Sequence, residues 1–123
     1  MSALALLGRV LMCAIFIRSG VAKLMAPTAT IAMFGHLHLP VPGAAYAVAI
    51  LVEVGGGMLT LLGWRTRPVA IVLAVWCVAT ALVAHFHPGD NGQMIHFMKN
   101  LCMAGGFLQL AVYGAGRFSL DRR

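Results

Sequence analysis

Long apolar stretches separated by short polar ones make up nearly the whole chain. Residues 4–25, 42–62, 68–86 and 94–113 each consist mainly of Ala, Val, Leu, Ile, Met and Phe. Each comes close to or exceeds the roughly 20 apolar residues that a helix needs to cross a bilayer. Proline and glycine mark the limits: Pro42 and Pro68 stand where a first helical turn tolerates proline, and Gly63, Pro88-Gly89 and Gly114 follow the ends of the runs. The pattern predicts an all-α protein, an integral-membrane four-helix bundle forming one domain over residues 1–123. Between the first two spans, "APTATIAMFGHLHLPVPG" is too short to cross again. There Thr28 or Thr30 is expected to cap a short helix with Ile31, Phe34 and Leu37 near one face. Such a helix is expected to lie in the membrane interface or over the bundle mouth.

Composition agrees with this reading and narrows it. Of 123 residues 61% are apolar and 10% charged, with a mean hydropathy of +0.91, more apolar surface than a soluble domain of this size can hide. The lipid bilayer is therefore the first expected partner. Nine basic side chains against three acidic ones give a net charge of +6. Because they are scattered through connections and segment ends, they exclude a nucleic-acid face and point to membrane topology. Arg65 and Arg67 fall in the second connection, Arg117, Arg122 and Arg123 in the tail, and Arg9 near the start, with Lys23 and Lys99 toward the opposite side. Four spans and this bias predict both termini in the cytoplasm. The first stretch carries Arg9 and Arg18 and has no clean cleavage site, so it is expected to remain as a span.

The cysteines, Cys13, Cys77 and Cys102, lie in apolar runs without paired spacing, as packing residues do. His36, His38, His85, His87 and His96 all fall toward the non-cytoplasmic side. Without a Cys or carboxylate framework they predict no metal site, and no covalent cofactor is expected either.

Polar residues inside the spans carry the chemistry. Glu53 lies about 11 residues into the second span, roughly 16 Å from its outer end and near the midplane. An ionised carboxylate there must face the interior and find a partner. Arg18 at about 10 Å depth and Lys99 at about 8 Å are expected to reach toward it, while Lys23 is near enough to the surface to snorkel. Asn100 and Gln109 add neutral donors and acceptors. One anion facing two cations leaves room for an acceptor-rich ligand such as a quinone, a carboxylate or a lipid phosphate. Glu53 and Lys99 are the candidate catalytic pair. Asn100, Arg18 and His96 join them as candidate ligand-binding residues. Gly55, Gly56 and Gly57 follow Glu53, and Gly105 and Gly106 follow Asn100, which predicts close helix contact and makes the second and fourth spans expected neighbours.

Together the segments "GRVLMCAIFIRSGVAKL", "LVEVGGGMLTLLGWRTRP" and "HFMKNLCMAGGFLQLAVYGAGRFSLD" resemble the DoxX family of small four-helix bacterial membrane proteins over nearly the whole chain. The E-x-G-G-G of Glu53 to Gly57, the G-x-x-T-R of Gly63 to Arg67 and the F-x-K-N-L with its following glycine pair are the most specific parts. Glu53, Lys99, Asn100, Lys23 and Arg67 match family positions, whereas Arg18 departs from the uncharged residue usual there. The resemblance implies a multi-pass protein of the bacterial inner membrane linked to quinone-dependent oxidation, thiosulfate:quinone oxidoreductase included, or to resistance against quinone and oxidative stress.

Three functions follow as expectations. The leading one is a quinone- or quinol-binding subunit, not autonomous as an enzyme, because the chain carries no haem, flavin, Fe–S or dinucleotide signature and needs a soluble or membrane redox partner. The second is a proton-coupled carrier of a small anion, with Glu53 as proton acceptor and Lys99 as counter-charge, which four helices would require a homo-oligomer to build. The third is an assembly factor recruiting partners through Arg65 and Arg67.

Overall fold

The protein is described by a computed structural model over residues 2–121; Arg122 and Arg123 of the tail lie outside that range. Its helices are α1 Ser2–Met25, α2 Pro27–His36, α3 Pro42–Leu62, α4 Thr66–His85 and α5 Asn91–Tyr113, with no strand among the described residues. α1, α3 and α4 are long and apolar enough to cross a membrane. α5 is as long, but Asn91, Gln93, His96, Lys99, Asn100 and Gln109 dilute its apolar character.

Local chemistry sets the ends. Asp90 caps α5, its carboxylate accepting the Gln93 N–H at 3.1 Å. Pro27 and Pro42 open α2 and α3 at a position where the missing N–H costs nothing. A single residue, Ala26, thus separates α1 from α2 and stands at the N-cap of α2, and neither Thr28 nor Thr30 acts as the expected cap. Thr30 is instead buried inside the helix, its hydroxyl donating back to the Ala26 carbonyl at 2.8 Å. Gly63 ends α3 in the left-handed region (φ 69°), where its N–H and that of Trp64 close on the Thr60 and Leu59 carbonyls.

The four long helices pack in a ring. α1 lies on α3, α3 on α4, and α4 most extensively on α5. Met12 against Gly106 and an edge-on Phe16–Phe107 pair with centroids 5.4 Å apart bring α5 back to α1. α3 and α5 are therefore diagonal, which corrects the expectation that they are neighbours. Their glycines do mark close contacts, but with other helices: Gly56 meets Leu73 of α4, and Gly57 meets Ile17 and the Cys13 backbone of α1. The apolar core, with Phe16, Leu73 and Phe107 at its centre, fills the ring partway along its length.

One end of the ring is tied shut. Arg9, 1% exposed, donates from Nη1 to the Thr60 and Leu61 carbonyls at 3.0 and 2.7 Å, from Nε to the Ala115 carbonyl at 3.1 Å, and from Nη2 to the Phe118 carbonyl. It thereby satisfies the last carbonyls of α3 with a cation at the negative end of the helix dipole. The tail continues the knot: the Leu120 and Asp121 N–H groups reach the Leu62 and Gly63 carbonyls at 3.0 and 2.9 Å. The Asp121 carboxylate then accepts the N–H groups of Arg65 and Thr66 at 2.9 and 2.8 Å, capping α4. Arg9, which the sequence marked only as a cation near the start, is a tertiary staple.

Candidate ligand-binding site

Beyond the core, toward the end where α2 lies, the ring opens into a cavity of about 700 Å³. All five helices contribute to it: Phe16 and Lys23 from α1, Phe34 from α2, Glu53 from α3, Trp76 and His85 from α4, and Asn100 from α5.

Glu53 occupies a π-helical turn, Leu51–Gly55, inside α3. Such a turn holds an extra residue and occurs often at functional positions, and here its last residue, Gly55, opens the glycine run that continues through Gly57. The carboxylate, 4% exposed as a residue, takes the Lys23 ammonium at 2.9 Å. Lys23 also donates to the Ser19 hydroxyl at 2.8 Å, and its own carbonyl accepts the Tyr46 hydroxyl at 3.0 Å. Gly20 explains the closeness, because a Cβ there would collide with Val54 and approach the Glu53 Cβ at 3.3 Å. Ser19 and Lys23, four residues apart, share the helix face on either side of that contact. Lysine has three N–H donors, and two are engaged by Ser19 and Glu53. The third, with the remaining lone pairs of Glu53, is what this end of the cavity offers a guest.

Across the ring, Asn100 donates from Nδ2 to the Thr80 hydroxyl at 3.1 Å. Thr80 in turn donates to the Trp76 carbonyl at 2.9 Å, an arrangement that fixes the amide's orientation. A second π-helical turn, Ala81–His85, ends α4. His85 there holds Nδ1 2.8 Å from the Gln93 amide oxygen. With the amide oxygen as acceptor, His85 contributes the donor from Nδ1.

The residues expected at the site therefore divide. Glu53 and Asn100 line the cavity, on diagonal helices. Lys99 does not: adjacent helical residues point about 100° apart, and with Asn100 turned toward α4, Lys99 faces outward and is exposed. Arg18 is exposed as well, because Ser19 and Lys23 define the inward face of α1 and Arg18 lies off it. His96 is exposed beside the cavity mouth, its ring centroid 5.3 Å from that of His85. Lys23, expected to snorkel, replaces both expected cations as the partner of Glu53. The i, i+4 spacing of Ser19 and Lys23 was the available signal for it. Nothing in the pattern singled out Thr80 or the His85–Gln93 pair. The described residues include no cluster of three or more His, Cys, Asp or Glu arranged to hold a metal ion.

Comparison with known proteins adds a lineage to this geometry. The DoxX family model matches residues 4–86. Two proteins of Escherichia coli K12 are similar over almost the whole length. Inner membrane protein YphA is 37% identical, over 98% of this chain and 89% of its own, and inner membrane protein YqjF is 37% identical, over 95% and 88%. No solved structure matches the chain.

Proposed function

The chain belongs to the DoxX family, and from that membership and the cavity we propose a multi-pass inner-membrane protein that binds a quinone or quinol as a subunit of a quinone-linked redox system or a quinone-resistance factor. In this reading α5 is the fourth span, α2 lies at the interface over the cavity, and both termini are cytoplasmic. Setting Arg9 aside as internally engaged, Arg65, Arg67 and Arg117 still gather at the tied end, so the positive-inside bias supports that orientation.

The observation that carries the proposal is the pairing of one buried ion pair at the cavity edge with apolar, aromatic walls. Phe16, Phe34 and Trp76 suit a flat ring, while Lys23 and Asn100 can donate to carbonyl oxygens and Glu53 can accept from a quinol hydroxyl. Glu53 then acts as proton acceptor, with Lys23 stabilising the carboxylate. The electrons the quinol gives up pass to a partner, since the chain carries no haem, flavin, Fe–S or dinucleotide signature of its own. The anion carrier read from the sequence takes Lys99 as its counter-charge; Lys99 faces away from the cavity and the cation that does line it, Lys23, is already neutralised by Glu53, so the geometry favours the quinone reading.

Protein extracted in mild detergent is expected to contain quinone detectable by mass spectrometry, and Glu53→Gln to weaken quinone binding about 10-fold or more, the size of a lost charge-assisted hydrogen bond. Protein free of quinone whose quinone affinity is unchanged by Glu53→Gln overturns the proposal.

A further inference from the structure

α3 and α4 touch closely where Gly56 meets Leu73; a Cβ on Gly56 would stand 2.8 Å from Leu73 Cδ2. Toward the end where α2 lies, the two helices part. Pro42–Ile50, the first half of α3, packs on α1 and α2, while Ala81–His85, the last turn of α4, packs on α5. The two seam faces nevertheless continue past the contact: Val52 and Val48 follow Gly56 in steps of four along α3, and Trp76, Ala79 and Val83 follow Leu73 in steps of three and four along α4. Val52 and Trp76 still pack against the core. Val48, Ala79 and Val83 line the cavity and are exposed as well, Val48 and Val83 to 49% and 48%. Residues that both wall a cavity and face outward mark an opening in its side. Because α3 and α4 are each long and apolar enough to span a membrane, this opening is a slot onto lipid.

We infer that the cavity takes a quinone bearing a long isoprenoid chain, its ring beside Lys23, Glu53 and Asn100 and its chain passing between Val48 and Val83 into the bilayer. The inference takes the quinone reading of the cavity as its premise and adds the class of quinone. Size supplies the first argument. A cavity of about 700 Å³ is of the order that encloses a drug-sized head, and a chain of many isoprene units has to leave it.

Position supplies the second. Val48 stands five residues before Glu53, about 8 Å along the helix axis, so a ring held at the carboxylate meets the slot with the start of its chain. Val48 and Ala79 each lie six residues from the end of their helix, at Pro42 and His85, about 9 Å deep and within the roughly 15 Å of one leaflet's hydrocarbon. Rim chemistry then chooses this side of the cavity over the other. The slot's rim is apolar throughout, whereas α5 brings Gln93 and Asn100 to the opposite wall. α2 and the turn after it add only Met33, Phe34, Leu37 and Leu39, which offer a water-borne ligand no polar approach. Hydrocarbon on three sides and hydrogen-bonding groups at the bottom suit a molecule with a polar ring and an apolar chain.

The test uses the full-length protein in nanodiscs with Trp64→Phe, so that Trp76 in the cavity wall is the remaining tryptophan and reports a bound quinone by quenching. The titrants are a benzoquinone and a naphthoquinone, each with and without a long isoprenoid chain. Each is compared with itself across variants, so partition into the bilayer cancels. Val48→Phe combined with Val83→Phe fills the slot from two exposed positions. It should weaken binding of the chain-bearing quinone about 10-fold or more, the scale of forcing extra bulk into an occupied space, and leave the chain-free form within about two-fold. Val83→Phe alone should show the same selectivity at smaller size, which keeps the comparison available if the double variant folds poorly. Val75→Phe, at a position of α4 that is 63% exposed and outside the cavity lining, should change neither form. Equal losses for both forms, or no loss for the chain-bearing one, overturn the slot and leave the quinone reading standing. No quenching by any of the four compounds before the slot is altered removes the quinone reading and this inference with it.

Discussion

Arg9 and Lys23 are both cations of α1 turned into the protein, roughly 21 Å apart along the helix axis at 1.5 Å per residue, and they do opposite things. Arg9 spends its guanidinium on four backbone carbonyls and is sealed under the tail. Lys23 holds a carboxylate and a hydroxyl at the edge of a cavity and keeps a donor in reserve. A buried charge whose hydrogen bonds all close within the protein is scaffolding. One whose bonds stop short beside open space is where a guest can complete them. The chain thus divides into an end that is tied and an end that is open, with the Phe16–Phe107 core between them.

The strongest way to break that division is to remove the staple. Arg9→Met leaves four carbonyls without their donor and the tail without its anchor, and should cost roughly 3–5 kcal/mol, read as loss of monodisperse protein in detergent or a large drop in thermal midpoint. Arg9→Lys should restore little, because an ammonium cannot span the fork of acceptors that a guanidinium reaches. Equal stability of either variant with the wild type would show that the tied end is not held by this residue.

At the open end the expected effect is smaller in stability and larger in function. Lys23→Met and Glu53→Gln each strand one member of a pair at the cavity edge and should cost about 1–3 kcal/mol. The double variant should cost less than the sum of the two. Stability regained in the double variant with ligand binding still lost would sharpen the contrast. Strictly additive losses would argue that the two side chains do not act as a pair.

Asp121→Asn gives the smallest change, about 1 kcal/mol, as expected for weakening a helix cap. Because the tail lies at the far end, quinone affinity should stay at the wild-type value, measured by the same binding assay as above. A change in affinity would mean that the two ends communicate.

Helix existence and rough limits were legible in the pattern because apolar runs of crossing length and their proline and glycine punctuation are local properties. Glu53 was legible for a related reason: an acid deep in such a run must face inward. Less could be read of its surroundings. Lys99 and Arg18 have depths suited to Glu53, but depth ignores rotation about the helix axis, and rotation takes both away from it. Arg9 looked like an ordinary terminal cation, because its acceptors at Thr60, Leu61, Ala115 and Phe118 lie far along the chain.

By itself, the sequence determined that this is an apolar helical chain with its positive charge gathered mainly toward one side, a polar layer within its spans and an acid at their middle. Only the tertiary structure decided which cation Glu53 meets, that α3 and α5 face each other diagonally across a cavity, and that the Arg9 end is closed. The physical reason is that burial depth follows from counting along one helix, whereas partners depend on how each helix is rotated against its neighbours. That rotation is set by contacts such as Gly20 against Val54 and Gly57 against Ile17, which join residues no local pattern connects.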